Sequence, residues 1–297
     1  MDDRARVGYI PPLQISTYNT KENPEMKQRI INLILTVILI TGLSLLLYPS
    51  VSNWWNAKHQ SRAIASYSEA IQKVDTAAYE AARASAMEYN KTIPLNKSHF
   101  SMSDEQRARY NQELNLAGDG IMGIIEIPDI GVELPLYHGT SEAVLQVAVG
   151  HIEGTSLPVG GPGTHCALSG HRGLPSARLF TDLDQLNRGD VFLMHILNET
   201  LTYQVDQILI VKPHELDGLA IEEGKDYCTL VTCTPYGINT HRLLVRGVRI
   251  ETVLEKPTVR VTADAVRVEP LIVAPILVSP LLVLLLLVVA LYDPKKK

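Results

Sequence analysis

The chain has little cysteine, and none of it stands in a spacing that would hold a metal. Its 297 residues include 3 cysteines, Cys166, Cys228 and Cys233. No Cys-x-x-Cys or paired-histidine motif occurs, so the sequence gives no indication of zinc, and no metal or other cofactor is expected. Cys228 and Cys233 share one predicted strand about 16 Å apart and on opposite faces, beyond the roughly 7 Å that a disulfide spans. We interpret Cys166 and Cys228 as small buried side chains, with a bond between them left open.

The chain also lacks any excess of positive charge. Its formal net charge is −5, and lysine and arginine are dispersed, so nothing indicates a nucleic-acid partner. Gly160-Gly-Pro-Gly163 is not followed by Lys and Ser/Thr, as a phosphate-binding loop would require. Internal repeats are absent.

Two long apolar runs stand near the ends. Residues 30–48 and 271–292 carry no charge, and each is long enough to cross a hydrocarbon core of roughly 30 Å. No small-residue cleavage site follows Tyr48, which favours a retained anchor over a cleaved signal peptide. We therefore predict transmembrane helices at 30–50 and 271–292.

The charges that flank these runs predict the topology. Lys27 and Arg29 precede the first run, and Lys295, Lys296 and Lys297 follow the second. Flanking Lys and Arg remain in the cytoplasm, so we expect a two-pass protein of the cell membrane with cytoplasmic tails at 1–29 and 293–297 and an extracellular catalytic domain between the spans. Trp54 and Trp55 suit the outer interface.

The extracellular part begins with helical patterns. Apolar residues recur at three- and four-residue steps over 61–89, which predicts an amphipathic helix. Ser103 and Gln106 have capping-box spacing, which predicts a short helix running to about Leu116. Together these define a helical extension over residues 51–116.

From Gly118 the pattern changes to a period of two, which is typical of strands. Strands are predicted near 121–127, 132–137, 164–169, 190–195, 201–208, 227–233 and 242–250, with short helices at 141–149 and 176–186. Many short strands with Gly/Pro turns predict a mainly β fold, a closed or nearly closed antiparallel barrel. The barrel occupies residues 117–252, and residues 253–270 form a linker.

The most informative segment lies near the end of this barrel. An apolar strand ends at Cys233, Pro235 and Gly237 turn the chain, and Arg242 opens the next strand. This order puts a potential nucleophile and a permanent cation on neighbouring strands. A nearby cation favours the reactive thiolate.

These residues, with Ser169-Gly-His-Arg-Gly173, resemble the sortases, which are Gram-positive surface transpeptidases. The wider sequence is similar to class C, the pilus-polymerising branch. The matching stretches are Gly123-Ile-Ile-Glu-Ile-Pro128, Leu134-Pro-Leu-Tyr-His-Gly139, Gly150-His-Ile-Glu-Gly-Thr-Ser-Leu-Pro-Val-Gly-Gly161 and His171-Arg-Gly-Leu-Pro-Ser-Ala-Arg-Leu-Phe180. The resemblance implies an eight-stranded barrel.

It also implies a role for each matching residue. Cys233 would be the nucleophile, His171 the acid/base partner and Arg242 the stabiliser of substrate and oxyanion, with Ser169 and Thr232 as substrate-binding candidates. His171 also stands in a sharp turn between Gly170 and Gly173. His241 adjoins Arg242, and neighbouring strand residues point oppositely, so only one of the two can face Cys233.

The reaction implied is cleavage of an LPXTG-like sorting signal between Thr and Gly through a thioester, followed by transfer to a pilin lysine. The expected partners are pilins that carry such signals, together with the cell membrane. Two alternatives stay open: a sortase that attaches proteins to cell-wall precursor, and a catalytically inactive pilus scaffold. A papain-like protease is disfavoured because its cysteine precedes its histidine.

One departure from class C concerns the lid over the cysteine. The family's Asp-Pro-Trp or Asp-Pro-Phe element does not occur before the barrel. Residues 91–106 offer Phe100, Met102 and Asp104 as lid candidates instead. We therefore expect a degenerate or absent lid.

Overall fold

The computed structural model describes residues 24–94 and 102–252. The chain forms two compact units, and their boundary within the described residues falls between Leu45 and Leu46. The predicted second membrane span, both predicted tails except for residues 24–29, and the linker from residue 253 onward lie outside the described residues.

Helix α1 spans Pro24–Lys73 and contains the first predicted membrane segment. By length and composition, it is the one helix among the described residues that is able to cross a membrane, and none of its most apolar window is buried in protein. Exposed side chains such as Leu33, Ile38 and Leu45 are typical of a lipid-facing surface, because such groups are normally buried in proteins surrounded by water. The described residues thus contain one candidate span.

The helical pattern predicted over 61–89 belongs to two helices instead of one. Helix α1 ends at Lys73, and α2 spans Thr76–Lys91. The break follows from Asp75, whose carboxylate accepts a hydrogen bond from the backbone N–H of Ala78 at 2.7 Å. Such an N-cap starts a new helix by satisfying its free amides.

Helix α3 spans Asp104–Tyr110 and begins with the predicted capping box between Ser103 and Gln106. It ends earlier than expected. Turns follow, and Leu114 has a positive φ of 56°, which an α-helix does not accommodate.

The C-terminal part of α1 packs on the barrel. Tyr67 is 3% exposed, and its hydroxyl donates to the carbonyl of Met122 and accepts from the N–H of Leu197. Asn56 donates to the carbonyl of Ser176. This part of the helix is therefore fixed to the catalytic unit, which the sequence pattern left open.

Eight strands close into a barrel in the order β1-β2-β3-β4-β7-β8-β6-β5. Their bounds are β1 Ile121–Ile127, β2 Val132–His138, β3 Val149–His151, β4 Thr164–Ser169, β5 Val191–Ile196, β6 Glu199–Val211, β7 Asp226–Thr234 and β8 His241–Ile250. All seven predicted strands occur, and β3 is additional. Of the predicted short helices, α4 covers only Glu142–Leu145, and only a 3-10 turn at Leu183–Gln185 forms within 176–186.

The barrel is mixed rather than antiparallel, which corrects the prediction. β2 pairs with β3 and β4 pairs with β7 in parallel, and the remaining pairs are antiparallel. Strands β4 and β7 are buried along most of their length. Near-continuous burial of this kind is characteristic of parallel strands covered on both faces.

The two faces of the sheet carry separate apolar clusters. Cys228 and Leu230 of β7 point into the main core inside the barrel. Val231 points outward and packs with Ala167, Leu244 and Leu219. We call this second cluster the outer patch; Leu219 reaches it from the β6–β7 connection.

Candidate active site

The strand register places Cys233 and Arg242 side by side. They are direct partners in the antiparallel β7–β8 pair, two residues beyond the pair Val231–Leu244. Since side chains alternate along a strand, Cys233 and Arg242 lie on the same outer face as Val231 and Leu244. Both are partly exposed, as a nucleophile and its electrostatic partner must be to reach a substrate.

His171 reaches the same place from the other side of β7. Ser169 pairs with Val231 in the parallel β4–β7 ladder, and the N–H of Gly170 donates to the carbonyl of Val231 at 3.1 Å. His171 follows two residues after Ser169, and Cys233 follows two residues after Val231, so both residues lie just beyond the last pair of this ladder. The register thus pairs Cys233 with Arg242 and puts the loop that carries His171 at the same end of β4, β7 and β8.

Thr232 and Ser169 have different surroundings. Ser169 is partly exposed and lies on the outer face between Ala167 and His171. Thr232 is 1% exposed, and its hydroxyl donates to the carbonyl of Gly170 at 2.8 Å. That geometry suits holding the β4–β5 connection, residues 170–190, rather than touching a ligand. We call this connection the histidine loop because it carries His171.

The lid candidates are only partly described. Phe100 lies outside the described residues. Met102 is half-buried against the main core. Asp104 is exposed at the first position of α3, directly after the N-cap.

Several other described histidines have partners elsewhere. His151 and His165 are buried and bonded to Tyr110 and Ala220, and His195 pairs with Glu126. Burial lowers the pKa of His165 and His138, because the charged imidazolium loses its hydration. His241 pairs with Thr234 in the ladder, on the face opposite Arg242.

The remaining cysteines are sealed in the barrel. Cys166 and Cys228 are direct partners in the β4–β7 ladder, and both are free thiols. Burial raises the pKa of the Cys228 thiol, which favours the neutral form. Across residues 24–94 and 102–252, no group of three or more His, Cys, Asp or Glu side chains is placed to hold a metal ion.

Two residues near the site were not found from the sequence. Arg172 follows His171 and is bonded to Asp184, with its guanidinium carbon 5.8 Å from the ring centre of Tyr236. Tyr236 stands three residues after Cys233. The sequence could have indicated Tyr236 as a site residue, because it is an aromatic residue in the turn next to the candidate nucleophile.

Comparison with known proteins identifies the family of this chain. The family model described as the sortase domain matches residues 125–250. Sortase C1 from Streptococcus agalactiae is 55% identical, with 64% of this chain and 98% of that chain covered and a TM-score of 0.61. A Clostridium perfringens sortase C solved with the C-terminal cell wall sorting motif is 44% identical, with 64% and 99% covered and a TM-score of 0.56.

A third structure, Streptococcus pneumoniae sortase C, is described in terms of catalysis and pilin substrate specificity. It is 42% identical, covers 64% of this chain and 97% of its own, and superposes with a TM-score of 0.58. The mixed eight-stranded barrel and the matched domain define a cysteine transpeptidase. The chain belongs to the sortase family, in its class C branch.

Proposed function

We propose that this enzyme cleaves an LPXTG-like sorting signal between Thr and Gly and transfers the acyl part to a pilin lysine, with Cys233, His171 and Arg242 as the catalytic residues. The observation that carries the proposal is the register around β7, where Cys233 is flanked by Arg242 on β8 and by the histidine loop after β4.

In the first step the Cys233 sulfur, as thiolate, attacks the threonine carbonyl carbon. The carbonyl oxygen becomes an oxyanion, and the Arg242 guanidinium donates hydrogen bonds to it. The tetrahedral intermediate collapses, and the carbon–nitrogen bond breaks. His171 gives a proton to the leaving glycine amine, and a thioester on Cys233 remains.

In the second step a lysine amine attacks the thioester carbon. His171 accepts the proton that the amine loses, an amide bond forms, and the Cys233 thiolate leaves. One amide replaces another of similar energy, so the transfer needs no external energy source.

The outer patch supports a role for this face in binding the signal. Val231 and Leu244 lie next to Cys233 and Arg242 on the same face, and half-buried Ile152, Leu209 and Val211 extend the cluster. Val231 and Leu244 are themselves buried, so the partly exposed members, of which Val211 pairs with Arg242 on β8, would offer the apolar surface for the Leu-Pro part of a sorting signal. Ser169 is the polar candidate between this surface and His171.

Pilin transfer is favoured over attachment to cell-wall precursor by the class of the relatives, one of which is described with pilin substrate specificity. The two-pass arrangement, with the catalytic domain outside, is part of the same proposal. The candidate span in α1 supports the first anchor.

The test is incubation of the full-length enzyme in detergent with purified pilin that carries an intact sorting signal. We expect a ladder of covalent pilin polymers on denaturing gels. Attachment of single pilins to a peptidoglycan precursor peptide, without polymers, would favour the cell-wall alternative instead.

Matched variants separate catalysis from scaffolding. Cys233→Ala should abolish the ladder, whereas Cys228→Ala, at a buried thiol on the same strand, should retain it in whatever fraction of the protein folds. A ladder that persists with Cys233→Ala would contradict the proposed nucleophile.

A further inference from the structure

The histidine loop is fixed to the barrel at its first residues. Thr232 holds the carbonyl of Gly170, and the N–H of Phe180 donates to the carbonyl of His171 at 3.0 Å. A Cβ on Gly170 would lie 2.6 Å from the Phe180 ring, so the loop fits tightly over that side chain. These contacts fix the backbone at His171. They do not hold the side of the loop that faces the β7–β8 connection, which is contacted by other residues.

Arg172 occupies that side. Its side chain is 10% exposed although it carries a charge, and its guanidinium pairs with Asp184. A buried charge is costly unless it is paired, and Asp184 supplies the pairing at Nη2, while the buried Nε has no hydrogen-bond partner among the described residues. The residue next to the candidate acid/base is therefore anchored to the far end of the same loop.

Tyr236 covers this anchor from the other segment of the site. It belongs to the connection between Cys233 and Arg242 and is 60% exposed. The Arg172 guanidinium carbon lies 5.8 Å from its ring centre, within the range of a cation–π contact. The ring also lies on Gly173, where φ is +75° and an added Cβ would be 3.0 Å from a ring carbon.

We propose that Tyr236, Arg172 and Asp184 form a clasp between the two loops and that this clasp positions His171 relative to the Cys233 sulfur. The inference rests on the proposed function, because it assigns these three as positioning residues for its acid/base and nucleophile. The clasp acts through the ring face of Tyr236 and not through its hydroxyl.

The test compares Tyr236→Ala, Tyr236→Phe and Arg172→Gln in the full-length enzyme. Tyr236→Ala and Arg172→Gln should each lower kcat for sorting-peptide cleavage roughly tenfold, within the hundredfold that a 1 Å misplacement costs, and should leave KM within about twofold. Tyr236→Phe keeps the ring and should stay within about twofold of the parent. The double variant should lose little more than either single one, because both remove the same contact.

A second readout needs no peptide. The rate at which iodoacetamide alkylates Cys233, followed against pH, reports on the histidine beside the sulfur. The pH profile of the alkylation rate should change shape in Tyr236→Ala and Arg172→Gln but not in Tyr236→Phe. Ile238→Ala, another exposed apolar side chain on the same connection, serves as the control and should match the parent.

Any of three results would overturn the clasp. The first is a raised KM for Tyr236→Ala with an unchanged alkylation profile, which would make Tyr236 a substrate contact. The others are a double variant whose loss in kcat equals the product of the two single losses, or a Tyr236→Phe enzyme that loses as much activity as Tyr236→Ala. If the parent enzyme transferred no acyl group, the proposed function would be refuted. The alkylation profiles of the variants would still show whether the clasp positions His171, because that measurement needs no peptide.

Discussion

Arg242 lies opposite Cys233 on the adjacent strand, and among the described residues its side chain donates to the carbonyls of Asn239 and His241 in the turn. Both bonds come from one guanidinium nitrogen, Nη1, which leaves the other donors of the guanidinium for an oxyanion. In the proposed mechanism it stabilises charge that develops only in the transition state.

Arg242→Ala should therefore lower kcat for peptide cleavage by about 100- to 1000-fold, or roughly 2.7–4 kcal/mol. Arg242→Lys keeps the charge but not the planar fork and should recover only part of the loss. Steady-state kinetics with a sorting peptide measures both. Arg188→Ala, at another exposed arginine, should be unaffected, and an Arg242→Ala enzyme within threefold of the parent would refute the oxyanion role.

Strand ends and alternation predict from the sequence that Cys233 and Arg242 share one face, which the β7–β8 register confirms; the place of His171 in the site comes from the family motif and stays a prediction. Thr232, a substrate-binding candidate in the sequence, is a different case. The same alternation that set His241 apart from Arg242 also turns Thr232 away from Cys233, toward the inside of the barrel. Its contact with Gly170 required the three-dimensional pairing of β4 with β7.

Helix α1 is joined to the barrel through Tyr67, whose hydroxyl serves both a carbonyl and an N–H. Tyr67→Phe removes the acceptor for the buried N–H of Leu197. Leaving such a donor unsatisfied costs about 1–3 kcal/mol. We expect a corresponding loss in the free energy of unfolding, measured by denaturant titration in detergent.

Tyr48→Phe is the matched control, since Tyr48 is on the same helix but 57% exposed. It should leave the unfolding midpoint unchanged. Equal stability of the Tyr67→Phe and Tyr48→Phe proteins would mean that α1 does not contribute to the folded barrel through this contact.

The prediction of a degenerate or absent lid concerns the segment between α2 and α3. With an open site, iodoacetamide should modify Cys233 rapidly in the resting enzyme, while Cys166 and Cys228, at 3% and 0% exposure, react only after denaturation. Peptide mapping identifies the modified thiol. Protection of Cys233 that disappears when residues 95–101 are replaced by a Gly-Ser linker, which leaves α2 and α3 intact, would show a working lid.

The elements themselves were predicted in proportion to the strength of their periodicity. The seven longer strands show alternation or continuous apolar character, whereas β3 has only three residues, too few for a period to be seen. The break at Asp75 depends on one cap within an otherwise helical pattern. Parallel pairing of β4 with β7 depends on contacts about sixty residues apart, as between Cys166 and Cys228, which local patterns do not contain.

The arrangement of the whole chain predicts both termini in the cytoplasm and residues 51–270 outside. Epitope tags at each end should resist protease in intact spheroplasts and be digested after the membrane is permeabilised. The catalytic domain should be degraded in intact and in permeabilised spheroplasts alike. The expectation rests on the Lys and Arg residues that flank the two apolar runs. Digestion of the C-terminal tag in intact spheroplasts would contradict the predicted second membrane span.

The proposed mechanism requires a covalent bond between the substrate acyl group and the Cys233 sulfur. Full-length enzyme incubated with a sorting-signal peptide should gain the mass of the peptide up to its threonine, located at Cys233 by peptide mapping and released by hydroxylamine as a thioester is. Peptide cleavage without that adduct in rapid-quench samples, or cleavage that persists in Cys233→Ala, would contradict it.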